Sequence, residues 1–456
     1  MKKIAITQRL VTNDSYFEVR ECLDINYSKL ISACGYMPIV LPYEVEFKYY
    51  FENIDIEGVL LTGGNDLNSC SQNDLSQKRD TFEKKLLTYC IKNKIPVFGI
   101  CRGMQVIAEF FGSSFKRIEN QVNIRHDLQV NQSAIYKDCL KLLETVNSYH
   151  NFSIDNIGDN LIVSATDTNG IIKAIEHKNI KIFAQMWHSE REKNFNQNEL
   201  NLIKKFFSFD IEGVIDIAKN AGDAIMKVYH KELDIEYKDD KSPVTQADLI
   251  ANEVIVNGLS KISSYPVVTE ESQVSYSVRK NWNKYWLVDP LDGTKDFIAK
   301  NGEFTVNIAL IENHKPVMGV VYAPVTDDIY YAEKDRGAFK NKKQIFNNST
   351  RINLIGSDSN FHSTDMTKYF FKKNKIQEVK RYGSSLKICK LAEGEIDVYP
   401  RLNGTKEWDT AASHIIANEA GCKLVDVQTR QELTYNKKSM KNNHFIASKN
   451  NLEFET

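Results

Sequence analysis

Cys101 stands between two different patterns. Before it runs I-P-V-F-G-I, a short apolar stretch; after it runs R-G-M-Q-V-I-A-E-F-F, helix-like and closed by Gly112. A cysteine where a strand turns sharply into a helix is presented at the edge of a sheet. It also meets the free N–H groups and partial positive charge of the helix N-terminus, which favour the reactive thiolate. Gly99 and Gly103 flank it and permit a tight approach. A sulfur that attacks an amide needs a group to protonate the leaving amine, and that group needs an orienting partner. His188 in Q-M-W-H-S-E is the candidate, with Glu190 two residues on. On a strand, residues two apart point the same way, so Glu190 is expected to orient the imidazole. The glycine turn of L-L-T-G-G-N-D offers backbone N–H groups for an oxyanion, notably at Gly64, together with the N–H of Arg102. The other seven cysteines are scattered without a C-x-x-C pair and read as small core residues.

A second set of chemical residues lies far downstream. D-P-L-D-G-T, residues 289–294, follows the strand pattern Y-W-L-V. Asp289 and Asp292, with the Leu291 carbonyl between them, make an oxygen-rich strand end of the kind Mg²⁺ prefers. One such pair is a common solvated turn. Here Glu270 in E-E-S and Asp409 in W-D-T-A-A add further carboxylates, each next to an element boundary. Gly293 and Thr294 open the next helix, whose N-terminus can receive a phosphate oxygen. Clustered divalent ions on a phosphate would activate water and stabilise the leaving alkoxide.

These groups need elements to hold them. In the first half, K-K-I-A-I-T, P-I-V-L-P, I-E-G-V-L-L and I-P-V-F-G-I read as short strands. They alternate with helix-like Y-S-K-L-I-S-A-C, stopped by Gly35, and F-E-K-K-L-L-T-Y-C-I-K-N. That alternation predicts an open, mostly parallel sheet with helices on both faces. Strand patterns crowd together over residues 129–186 and predict a partly antiparallel extension. Q-N-E-L-N-L-I-K-K-F-F closes the half, and a fresh amphipathic helix begins at I-E-G-V-I-D-I-A-K. The expected domains are therefore residues 1–207 and 208–456, with no compositional linker and no internal repeat.

Bulk properties narrow the class. A chain of 456 residues suggests at least two domains, and a net charge of -1 gives no overall attraction to nucleic acid or an acidic membrane. The basic stretch K-K-N-K-I-Q-E-V-K-R, residues 372–381, is read as a solvated face. No run of eighteen apolar residues predicts a membrane span, and M-K-K-I-A-I-T-Q-R is too polar for a signal peptide. Scattered cysteines suit a reducing, cytoplasmic setting.

The first half resembles the class I glutamine amidotransferases, in their γ-glutamyl hydrolase branch, through L-L-T-G-G-N-D, F-G-I-C-R-G-M-Q, N-S-Y-H and W-H-S-E. The resemblance implies a flavodoxin-like open sheet, a Cys101–His188–Glu190 triad, a substrate-side loop carrying His150, and no cofactor. It also implies a γ-glutamyl amide substrate, here γ-glutamyl-CDP-amidate, split to glutamate and cytidine diphosphoramidate for capsule phosphoramidate synthesis. Two departures stand out: Ser189 where the family usually has Pro, and Met186 where it often has Gln.

The second half resembles the Mg²⁺-dependent inositol monophosphatase superfamily, in its 3'(2'),5'-bisphosphate nucleotidase branch. The shared strings include S-P-V-T-Q-A-D, W-L-V-D-P-L-D-G-T-K-D-F, G-S-S-L-K, Y-P-R and W-D-T-A-A. This implies a layered α/β phosphatase fold and two or three Mg²⁺ ions. Glu270, Asp289, Leu291, Asp292 and Asp409 would hold them. Thr294 and Asp248 would set the attacking water, and Ser384, Ser385, Lys387 and Arg401, with Gly293, would face the nucleotide. The partners implied are small molecules only, a γ-glutamyl conjugate and a nucleoside bisphosphate; the sequence sets no oligomeric state. Since a phosphatase has no use for ammonia, the fusion points to a free-standing γ-glutamyl hydrolase. A γ-glutamyl-aminobutyrate hydrolase joined to a sulfur-assimilation phosphatase is the alternative enzyme pair, and a ligand-sensing module is the non-enzyme alternative.

Overall fold

The computed structural model describes residues 2–13, 15–208, 211–230, 235–237 and 243–455. Its contacts gather into two units, Met1–Phe209 and Asp210–Thr456. The boundary expected after residue 207 abuts Phe209 and Asp210, which lie outside the described residues, as does Ser242 of S-P-V-T-Q-A-D. Among the described residues no helix is long and apolar enough to cross a membrane.

The first unit is built on an eight-stranded sheet. Its order is Met37–Val40, Lys3–Ile6, Ile56–Leu61, Val97–Ile100, Ile182–Gln185, Ile172–His177, Leu161–Thr166, Gln129–Val130. The first five strands pair in parallel and the last three antiparallel, as the crowded patterns over 129–186 predict. The parallel strands are short and continuously apolar because both faces are covered: every residue of Val97–Ile100 is buried. The helix Arg102–Phe110 follows Cys101 at once and packs tightly back on the sheet. A Cβ on Gly103 would stand 2.2 Å from the Leu61 carbonyl oxygen, so only glycine lets the helix come that close.

The second unit is layered. Helices Ile211–Tyr229 and Gln246–Ile262 cover one face of a seven-stranded sheet; Leu386–Ala392 and Glu407–Glu419 lie between that sheet and a five-stranded one. Helix Asp365–Lys373 packs on the outer side of the smaller sheet through Phe370 and Phe371. The key strand of the larger sheet is Lys284–Asp292. It pairs with Thr305–Glu312 until Asp289 faces Asn307, and pairing resumes only at Asp292 opposite Thr305. Pro290, with no N–H to donate, sits inside this bulge. The bulge interrupts the ladder where the two aspartates fall. The basic stretch 372–381 forms the end of one helix, a turn, and most of the edge strand Glu378–Tyr382 rather than a single helix face or loop.

Candidate functional sites

In the first unit the expected thiol, imidazole and carboxylate come together. Cys101 is the residue between strand and helix, held at φ 53°, a conformation that L residues rarely adopt. His188 follows the neighbouring strand Ile182–Gln185, and its Nδ1 lies 2.5 Å from Glu190 Oε1. The route to that contact corrects the sequence reading. Glu190 is not on a strand with His188 but in a 3₁₀ turn, Ser189–Arg191, which swings the carboxylate back onto the imidazole. Ser189, standing in place of the usual Pro, fastens this turn by accepting a hydrogen bond from Gln185 Nε2 at 2.8 Å. The imidazole is buried, which disfavours its cation, yet the Cys101 sulfur and then Glu190 outweigh this and raise its pKa to about 9. His188 is therefore a cation at neutral pH.

The glycine turn completes the site. A Cβ on Gly63 would stand 3.0 Å from His188 Cε1, 3.1 Å from the Tyr27 hydroxyl and 3.5 Å from Cys101 Cβ. The turn, the thiol and the imidazole thus meet at one point, and Gly63 is as constrained as Gly64. Gly63 gives its own N–H to the Tyr27 hydroxyl at 2.9 Å. Gly64 has φ +84°. Arg102 is the first helical residue, so its N–H has no intrahelical acceptor. His150 lies in a buried polar cluster: its Nδ1 is 3.0 Å from the Phe152 carbonyl and its Nε2 3.2 Å from Lys173 Nζ. Burial and the Lys173 charge push its pKa down to about 3, so it stays neutral.

Two residues unforeseen from the sequence support this geometry. Asn147 brackets His188, donating to its carbonyl and accepting from its N–H, both at 2.8 Å. Arg79 is fully buried and donates to the carbonyls of Thr62, Gly63 and Gly64 at 2.8, 3.0 and 2.9 Å. It also pairs with Glu83 at 3.1 Å, and Glu83 and Asp80 in turn hold the Arg102 side chain. Two arginines and two carboxylates thus tie the glycine turn to the residue after the nucleophile. Arg79, Asp80 and Glu83 look in sequence like the charged face of an amphipathic helix. Tyr27 carries no signal beyond a helix pattern.

In the second unit a cavity of ≈ 460 Å³ opens at the D-P-L-D bulge. Glu270, Asp289, Leu291, Asp292 and Asp409 line it, with Gly293 and Thr294. Glu270 follows the strand Val267–Thr269, and Asp409 sits in the first turn of Glu407–Glu419, accepting the Lys406 N–H at 2.9 Å. Burial drives the Asp289 carboxyl well above its usual range, and the charges of Glu270, Asp292, Asp409 and Asp248 push it further the same way. Burial and Asp292 likewise raise Asp409 to about 8. Asp248 itself is buried on the first turn of Gln246–Ile262. Carboxylates crowded in this way need either protons or cations. Among the described residues no three His, Cys, Asp or Glu side chains are gathered as one ion's full protein ligand set.

Basic residues line the same cavity. Lys387 and Arg401 line it as expected, joined by Lys295 and His362, which the sequence reading did not single out. Burial, then Arg401, Lys295 and Lys387 push His362 down to about 4. The Ser384 hydroxyl is buried without a hydrogen-bond partner and lines the same cavity. Ser385 lines the cavity as well, and its hydroxyl donates to Asp292 Oδ2 at 2.7 Å and receives Asn307 Nδ2 at 2.6 Å. It steadies that carboxylate.

Comparison with known proteins agrees with this division. The Peptidase C26 family model matches residues 4–190, and the inositol monophosphatase family model matches residues 209–454. γ-Glutamyl-CDP-amidate hydrolase of Campylobacter jejuni is 39% identical over 208 residues, 45% of this chain and 97% of its own length. The 3'(2'),5'-bisphosphate nucleotidase CysQ of Salmonella typhimurium is 48% identical over 225 residues, 48% of this chain and 91% of its own. A crystal structure of CysQ from Bacteroides thetaiotaomicron is similar at 39% identity and a TM-score of 0.48, covering 53% of this chain and 97% of that one. The two halves define a hydrolase made of two enzyme families. The chain belongs to the inositol monophosphatase family through its second half and carries a Peptidase C26 domain, of the class I amidotransferase type, ahead of it.

Proposed function

We propose that the chain is a bifunctional hydrolase, with residues 1–207 cleaving a γ-glutamyl amide and residues 208–456 removing the 3'-phosphate of a nucleoside 3',5'-bisphosphate. The observation that carries the first activity is the buried convergence of Cys101, His188 and Glu190, with His188 Nδ1 2.5 Å from Glu190 Oε1. The Cys101 sulfur attacks the γ-carbonyl carbon, and the developing oxyanion takes the N–H groups of Gly64 and Arg102. His188 gives its Nε2 proton to the leaving nitrogen as the C–N bond breaks, and Glu190 holds the ring in place. Water then attacks the thioester, His188 takes its proton, and glutamate leaves. The substrate that fits best is γ-glutamyl-CDP-amidate, the substrate in the name of the Campylobacter jejuni relative. Its products are glutamate and cytidine diphosphoramidate, consistent with capsule phosphoramidate synthesis.

The second activity rests on a cavity lined by both carboxylates and basic residues. Lys387, Arg401, Lys295 and Ser384 bind phosphate oxygens, Gly293 lets the chain come close, and Thr294 and Asp248 orient the attacking water. Two or three Mg²⁺ ions, held by Glu270, Asp289, the Leu291 carbonyl, Asp292 and Asp409, would neutralise the carboxylates and acidify that water. The substrate is a cytidine or adenosine 3',5'-bisphosphate, a by-product of the same pathway. All eight cysteines are unpaired, which supports a cytoplasmic setting. Purified full-length protein assayed with γ-glutamyl-CDP-amidate and with both bisphosphates tests this reading. Glutamate and phosphate release are expected; no turnover of any nucleotide substrate would end it.

A further inference from the structure

The triad explains how an amide is cut but not which leaving group is chosen. In an open α/β sheet, ligands meet the chain at the carboxyl ends of the parallel strands. The glycine turn, Cys101 and His188 all lie there, after Ile56–Leu61, Val97–Ile100 and Ile182–Gln185. Arg9 joins them, three residues beyond the strand Lys3–Ile6. Its side chain lies against the turn: from the point where a Cβ would stand on Gly64, Arg9 Cδ is 3.3 Å away and Nε 3.5 Å. Arg20 and Arg125 are committed to Glu18 and Glu192. The exposed Arg9 guanidinium, by contrast, has no hydrogen bond or ion pair among the described residues. A second arginine reaches the imidazole side. The Arg191 guanidinium stacks 4.5 Å above the Tyr149 ring, and that ring meets His188 edge-on at 5.8 Å. Arg191 is 40% exposed and 3.8 Å from Glu190 Oε1, so its donors are not saturated.

One guanidinium therefore stands by the oxyanion turn and another by the proton donor. An amide whose nitrogen is bonded to phosphorus brings anionic oxygens to this same place. Guanidinium groups match phosphate oxygens in charge and in planar, paired donors. We propose that Arg9 and Arg191 select for a phosphate-bearing leaving group, making this site prefer γ-glutamyl phosphoramidates to γ-glutamyl amides of neutral amines. The inference rests on the first half being a γ-glutamyl hydrolase.

The test compares two substrates, γ-glutamyl-CDP-amidate and γ-glutamyl-p-nitroanilide, on the full chain and on Arg9→Gln and Arg191→Gln. The ratio of their kcat/KM values is expected to fall at least tenfold in each variant. The wild-type ratio should shrink as salt rises, because the contacts are solvent-exposed. If Arg9→Gln loses its fold, seen as a lost thermal transition, Arg9→Lys takes its place and should keep part of the ratio. A wild-type preference for the nucleotide conjugate that stays within twofold in both variants would overturn this inference alone. A wild-type enzyme that cleaves the anilide but not the conjugate would overturn both this inference and the nucleotide reading of the first site. No cleavage of either would remove the γ-glutamyl reading itself.

Discussion

The two sites handle charge in opposite ways. Around Cys101 several buried charges are paired: His188 meets Glu190, Arg79 meets Glu83, and Arg102 meets Glu83 and Asp80. Around Asp289 the carboxylates repel one another: burial, then Glu270, Asp292, Asp409 and Asp248, push its pKa upward. The first site is built on paired charges. In the second, burial and mutual repulsion raise the carboxyls of Asp289 and Asp409, while Ser385, Lys387 and Asn307 pull Asp292 the other way. The comparison teaches that one chain can hold a site built on paired charges and another built on crowded like charges.

The sharpest ways to break this contrast are single substitutions. Cys101→Ala should cost glutamate release roughly 10⁴-fold or more, since the nucleophile is gone, and leave phosphate release within twofold. Asp289→Asn should cut phosphate release by about 10³-fold or more and spare glutamate release. Parallel assays of both products check each. If either change silenced both activities in a folded protein, the two sites would not be independent.

A smaller effect should come from the ionic quartet. Arg79→Met leaves Glu83 buried with one partner fewer and frees three turn carbonyls. It should destabilise the first unit by about 3–5 kcal/mol in denaturant unfolding, and lower kcat by roughly 10²-fold through the misplaced oxyanion turn. A variant with wild-type stability and kcat would show the quartet to be incidental.

Acidity sharpens the contrast further. Glutamate release should fall as pH rises through about 9, where His188 loses the proton meant for the leaving amine. The same raised pKa contributes stability that is present below the ordinary histidine value and fades as pH climbs through about 9. In Cys101→Ala the imidazole should titrate lower, by NMR, because the sulfur is the leading influence raising it. An unchanged value would separate the two groups. The smallest effect expected is that of Ser189→Ala, about 1 kcal/mol in thermal unfolding from one lost hydrogen bond.

Much of this was readable in the residues because the signals are local. The Cys101 turn follows from an apolar run, a cysteine and a helix pattern within fourteen residues. The D-P-L-D bulge follows from a proline between two aspartates on a strand. What escaped was long-range. Arg79 and Glu83 look solvated until the fold buries them under the glycine turn. His362 lies in an irregular loop and acquires meaning only when Lys295 and Arg401 arrive from distant segments. Glu190 was placed beside His188 for the wrong reason, since a 3₁₀ turn and not a strand brings its carboxylate onto the imidazole. Ser385 was read from its motif as a nucleotide contact; that its hydroxyl also holds Asp292 had no signal in the sequence.

The central claim is that one site carries its own counter-charges and the other borrows them. The direct measurement is a single preparation, stripped with EDTA and titrated with Mg²⁺, with glutamate and phosphate release followed together. Phosphate release should vanish on stripping and return with Mg²⁺, while glutamate release stays constant throughout. Phosphate release that survives stripping, or two activities that fall and recover in step, would contradict the account.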